Sequence, residues 1–294
     1  MVPAVDITPL DFLSKASFDP APVILISVSV AWYLWSVRRL AARGRSWPIG
    51  RTASFLFAQL LLAVALISGL ASYDDTNFTI HTIQHIFIGM LAPIFLALSA
   101  PVTLALQASS RPVQTTLLKV VHSRAARILS HPGVTWPLYG VSLFTLYFSH
   151  LYAYSLQHPL VHELIHLHLL VVGCLFYWPA IGIDPLPRRL NHGIRMLYLM
   201  LSLPFHTILG MALESQTTPI AAGISLTDLH TGGGLMWVAG EATGLLGTLA
   251  IFVSWLRTDE RAAKRADRVG ETAHAVQLAH WRATRDAASR AVNS

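Results

Sequence analysis

Seven long apolar stretches, separated by polar and often basic connections, dominate the chain; they run approximately 21–39, 52–71, 82–106, 134–153, 161–181, 194–213 and 234–256. Each comes close to or exceeds the ~20 apolar residues that a helix needs to cross a bilayer. Within each stretch the apolar residues are continuous rather than alternating, which is the pattern of a helix and not of a barrel strand. The expected fold is an all-α integral membrane protein with seven transmembrane helices. Composition agrees: 53% of residues are hydrophobic and 12% charged, about half the charge content of a soluble domain.

The polar connections give this bundle a direction. Of 21 Lys and Arg, only Lys15 precedes the first stretch. The first connection carries Arg38, Arg39, Arg43, Arg45 and Arg51, the third Arg111, Lys119, Arg124 and Arg127, and the fifth Arg188, Arg189 and Arg195. The rest follow the last stretch, and the second, fourth and sixth connections have none. Lys and Arg flanking a span stay on the cytoplasmic side, so the N-terminus is expected outside and the C-terminus in the cytoplasm. This divides the chain into an outer segment (1–20), a membrane domain (21–256) and a basic cytoplasmic tail (257–294). The opening residues lack the basic start and early apolar core of a signal peptide, so no cleavage is expected. In 107–133, basic residues interleave with Leu and Val, which suits a surface helix at the lipid headgroups. The net charge of +6 follows topology, so membrane lipid rather than nucleic acid is the expected partner. The single Cys174 excludes an internal disulfide and any CxxC motif.

The histidines have the opposite distribution. Nine of 14 lie at or near the predicted outer face: His81, His85, His150, His158, His162, His166, His168, His206 and His230. His81 and His85 are four apart on a helix and so share one face, about 6 Å apart along its axis. His162 and His166 repeat the arrangement two spans later, with His168 turned away. Two such pairs entering from one side suit a nitrogen-rich site for copper, zinc, iron or nickel. His81, His85, His162 and His166 are the leading candidate ligands. His230 and Asp228 follow at the mouth of the last span, and His206 lies deeper. A lone histidine at an interface usually bonds water or a carbonyl, so the argument rests on the paired spacing.

Other residues refine the choice. Glu241 is the carboxylate set well within a span, as a proton carrier, an ion partner or a bond between helices. Pro93, Pro101, Pro179 and Pro204 are expected to kink or end spans, and Gly232, Gly233 and Gly234 to make a flexible entry to the last one. Met90, Met211 and Met236 lie toward the outer half, where soft thioethers suit cuprous ions. His162-Glu163-Leu164-Ile165-His166 matches HExxH, in which two histidines bind zinc and the glutamate is the general base.

Four segments carry a family resemblance: HTIQHIFIGMLAPIFLALSAP at 81–101, HELIHLHLL at 162–170, LPFHTILGMAL at 203–213 and DLHTGGGLMW at 228–237. Over about residues 20–256 the chain resembles the multi-span CtaG family of cytochrome c oxidase assembly factors. It departs from the family's usual Asp-Gln before the glycines by having Asp228-Leu229-His230. The resemblance implies a multi-pass protein of the bacterial plasma membrane that is needed to build a haem–copper oxidase. It implies copper handling at the outer face, with an oxidase subunit or a periplasmic copper donor as partner, and a role other than catalysis. Three alternatives stay open: a membrane haem protein with two axial histidines, a zinc metalloprotease using HELIH, and a metal or proton transporter.

Overall fold

A computed structural model describes residues 19–292, with side chains beyond Val253 described only in part. Nearly all of the expected outer segment 1–20 therefore lies outside the described residues. Helices account for all the regular structure described, with no strand among those residues. They are α1 (Pro20–Ala41), α2 (Ile49–Tyr73), α3 (Phe78–Ala108), α4 (Arg111–Val121), α5 (Arg124–Leu129), α6 (Pro132–Phe148), α7 (Leu151–Ser155), α8 (Pro159–Ile181), α9 (His192–Glu214) and α10 (Leu226–Val292). The chain forms two units, Met1–Thr248 and Leu249–Ser294; every residue of the sites below belongs to the first.

Among the described residues, six helices are long and apolar enough to cross a membrane: α1, α2, α3, α8, α9 and α10 as far as Val253. The expected stretch 134–153 differs. It is divided into α6 and α7, and α6 has 17 residues, about 25 Å at 1.5 Å per residue. Ser149 makes the division. Its backbone is extended, and its hydroxyl donates to the Thr145 carbonyl (2.6 Å) and accepts from the Leu151 N–H (3.1 Å). The serine thus closes one helix and opens the next.

α3 is the central element, packed between α2 and α8, and α8 in turn packs on α6. Proline chemistry shapes α3. Pro93 has no N–H to give the turn before it, and that turn, Phe87–Leu91, is a π-helix. Ala100 takes a left-handed conformation (φ 51°) just ahead of Pro101 and divides the helix again. Two distant aspartates cap the N–H groups exposed at these starts. Asp228 accepts from the Phe78 and Thr79 N–H groups (2.6 and 3.1 Å) and Asp184 from those of Val102 and Thr103 (3.2 and 2.7 Å). Each also takes a 2.6 Å bond from the neighbouring threonine hydroxyl.

Small residues set how closely the helices approach, as is usual within membranes. A Cβ on Gly173 of α8 would lie 2.3 Å from the Gly89 carbonyl oxygen of α3, and one on Gly240 of α10 would lie 2.2 Å from the His206 side chain of α9. Gly232, Gly233 and Gly234 lie inside α10 rather than in the expected flexible entry. Their lack of side chains makes room for Phe78, Gly210 and Glu214. On the basic connection, two short helices stand where one surface helix was expected, and α4 and α5 bury none of their residues. The two are separated at Ser123, whose hydroxyl caps α5 at the Ala126 N–H (3.1 Å).

If the Gly89–Gly173 contact sets the spacing of α3 and α8, Gly173→Ala should cost about 1–3 kcal/mol through forced separation. The check is a lower thermal midpoint in detergent than for Ala180→Gly, which removes a methyl from the same helix without a clash.

Candidate metal centre

α3 and α8 run side by side in the same direction, and each begins with a histidine pair. At helical spacing His81 and His85 face α8, and His162 and His166 face α3. The four rings meet: centroids are 3.9 Å apart for His81–His85, 4.5 Å for His162–His166, 5.5 Å for His81–His162 and 5.4 Å for His85–His166. All four side chains are buried, the most exposed at 6%.

Six of their eight ring nitrogens have no hydrogen-bond partner: both of His81, both of His166, and Nε2 of His85 and of His162. Buried polar atoms of this kind are ordinarily satisfied, since each costs about 1–3 kcal/mol when left bare. The two bonded nitrogens serve to aim the rings. His85 Nδ1 lies 3.1 Å from the Tyr147 hydroxyl, and His162 Nδ1 lies 3.2 Å from Asp75 Oδ1. A carboxylate on the far nitrogen is the usual way to orient a metal-binding imidazole and raise its basicity.

A carboxylate completes the cage. Asp74, buried at the end of α2, holds Oδ2 3.8 Å from His162 Nε2. Burial pushes its carboxyl above the usual range, and His162 pulls the other way. Two overlapping groups result, His81–His85–His162 and Asp74–His162–His166, with the ligand atoms of each group within 4.8 Å of one another. Ligands at 2.0–2.1 Å around a tetrahedral ion lie roughly 3.4 Å apart. The residues therefore fit a transition-metal ion after small inward rotations of the rings. The set is nitrogen-rich with one oxygen, which suits copper or zinc better than magnesium or calcium.

The family model for the cytochrome c oxidase caa3 assembly factor (Caa3_CtaG) matches residues 31–258. The chain belongs to this family. All the cage residues fall within the matched region. Membership together with six apolar helices makes it a multi-pass protein of the bacterial plasma membrane. It is also 33% identical over 270 residues to an uncharacterized protein of Mycobacterium bovis, covering 86% of this chain and 40% of that one. An uncharacterized protein of Mycobacterium leprae is 33% identical over 261 residues, at 83% and 40% coverage. The chain thus spans about two fifths of the length of these curated relatives. No solved structure matches it.

Of the other residues singled out in this family member, Glu163 borders the cage and the rest lie away from it. Asp228 is occupied as the cap of α3, with its oxygens on Phe78 and Thr79. His230 Nε2 sits 3.0 Å from the Gln216 carbonyl, at the loop before α10. His206 is buried against Tyr139 (Nε2–hydroxyl 3.3 Å). His168 faces Ser142 (2.9 Å), in keeping with its expected turn away from the pair. Glu163 has a half-exposed side chain, 3.8 Å from His166 Nδ1. Glu241 accepts a hydrogen bond from Thr207, a bond between helices. The residues missing from the sequence-based set are Asp74, Asp75 and Tyr147. The available signal was the Asp74-Asp75 pair just ahead of the N-cap Asn77.

Two aspartates beside the start of α3 are therefore expected to respond differently. Asp228→Ala should lower stability by about 1–2 kcal/mol, as loss of a cap does, and leave metal stoichiometry unchanged. Asp75→Asn should leave stability near wild type and weaken metal affinity by about 10–100-fold, as loss of an orienting carboxylate does. Thermal unfolding and competitive metal titration on each variant separate the two effects.

Proposed function

We propose that this protein supports the assembly of a haem–copper cytochrome c oxidase by binding copper in the His81–His85–His162–His166–Asp74 cage and delivering it at the outer face of the membrane. The observation that carries this reading is the cluster of six unbonded ring nitrogens on four buried histidines. Membership of an oxidase assembly family makes the oxidase the natural recipient, and an oxidase is an enzyme that needs copper. Asp75 and Glu163, with side chains 56% and 50% exposed, flank the cage on its water side, where a partner's ligands would first meet the ion. Stepwise exchange of imidazoles for partner ligands releases copper with no vacant intermediate.

The same proposal includes topology. α6 and α7 together form a seventh crossing, divided at Ser149, with the N-terminus outside and the C-terminus in the cytoplasm. The support is the charge distribution: the connections ending at the cage lack Lys and Arg, and the alternate ones carry them. The haem alternative loses support because His81 and His162 crowd the space beside His85 and His166 that a macrocycle would need.

Elemental analysis of the detergent-purified protein after copper loading is the first test, with about one copper per chain expected at the cage. His81→Ala with His162→Ala should lower copper affinity more than about 100-fold, beyond the loss of an orienting group. Cells carrying that variant should make oxidase with reduced copper content. Normal oxidase copper alongside a metal-free variant would sink the delivery role, and zinc or iron in place of copper would name a different cargo.

A further inference from the structure

Beyond the cage, His85 lines a second space that the reading above does not use. It is a partly enclosed cavity of about 20 Å³ bounded by His85, Met90, Tyr139, Ser142, Tyr147 and Met236, with aliphatic side chains of α6 and α8. A space of roughly 10–15 Å³ holds one water, so this one is of a size for a single small ion. Met90 and Met236 are 3% and 2% exposed and come from different helices, α3 and α10. His85 is 4% exposed with Nε2 unbonded.

We infer that His85, Met90 and Met236 form a second, softer metal site for a cuprous ion, one step inward from the cage; the inference rests on the cage being a copper site. The local cause is the π turn Phe87–Leu91. In a regular helix a residue five positions on lies about 140° around the axis. The π turn, in which the Ala92 N–H bonds the Phe87 carbonyl, shifts the helical register beyond Phe87, and Met90 lines the same space as His85, five positions before it. Two thioethers and an imidazole are a neutral, soft set, which selects Cu(I) over Zn(II) and other harder ions. A monovalent ion also costs less to bring into this apolar lining than a divalent one, because the desolvation penalty grows with charge. His85 borders both spaces, so a cuprous ion passes from cage to cavity by trading cage nitrogens for thioethers around one shared imidazole. The ion remains Cu(I) throughout, and no electron is gained or lost.

Methionines are also good packing residues, so the test must separate ligation from filling. The full-length protein in detergent is titrated with Cu(I) under anaerobic, reducing conditions against a chromogenic Cu(I) chelator, and separately with Zn(II). X-ray absorption spectra of the copper-loaded wild type report sulfur ligation directly and need no variant. The expected result is two Cu(I) per chain, one with sulfur neighbours and His85, the other held by Asp74, His162 and His166 without His85. Met90→Leu with Met236→Leu, nearly volume-conserving, should remove the sulfur signal and weaken one Cu(I) more than about tenfold. Zn(II) binding and thermal stability should stay at wild-type values. If the double variant does not fold, each single Met→Leu variant should still lose part of the sulfur signal. A wild-type spectrum with nitrogen and oxygen neighbours only, or a variant that keeps both Cu(I) ions at full affinity, overturns the thioether site. The cage reading fails separately, if His81→Ala with His162→Ala leaves both Zn(II) and Cu(I) binding unchanged.

Discussion

The contact between Gly89 and Gly173 sets the geometry on which the histidine-bearing end of the protein depends. Two parallel helices can bring neighbouring imidazoles of a four-ring group to 3.9–5.5 Å only if their backbones nearly touch close by. No side chain larger than hydrogen fits at Gly173. The closeness that results is energetically awkward when the space between the rings holds no cation. Imidazoles are pressed together beside a buried carboxylate, and most of their nitrogens have nothing to bond. The tight packing of the helices therefore maintains a local arrangement that a metal ion would relieve. Helix spacing and ring spacing are set by the same glycines.

Carboxylates with similar positions in the sequence have been given different tasks. Asp74 and Asp75 are neighbours, yet one is buried beside the cage and the other holds a histidine from an exposed position. Asp228 and Asp184 form a second pair, in which each carboxylate gathers two backbone N–H groups and a threonine hydroxyl at a helix start. Asp184 takes the Trp178 indole N–H as well (3.1 Å). What separates the two tasks is the set of nearby donors. Where free N–H groups are at hand, a carboxylate caps; where bare imidazoles are at hand, it joins their cluster.

Much of this could be read from the sequence, and the parts that could not have physical causes. Continuous apolar runs identified the helices, and the four-residue spacing of His81/His85 and His162/His166 identified the faces that meet. Spacing along a chain says nothing about which helices are neighbours. Asp228 and His230 matched the cage in depth but belong to a helix that meets α3 through its cap. Asp74 lies just beyond the end of a span, in a turn whose path depends on the tertiary fold. The division of the fourth stretch turned on Ser149, one polar residue in an otherwise apolar run. The glycine triplet suggested flexibility because glycine is permissive, whereas here its small size is what counts.

The caps on α3 also bear on how the protein is made. The helix is synthesised early, but the groups that finish its two starts come much later, Asp184 82 residues after Val102 and Asp228 150 residues after Phe78. Contacts so distant in sequence close late in folding, and synthesis runs from the N-terminus. During membrane insertion α3 therefore waits with open N–H groups until the first turn of the last helix has emerged. His81 and His85, on the first turns of that helix, are held firmly only from that moment. A ribosome that stalls before residue 228 leaves a bundle in which the helix that carries His81 and His85 still lacks its cap, so the order of synthesis decides when these two rings gain a fixed platform.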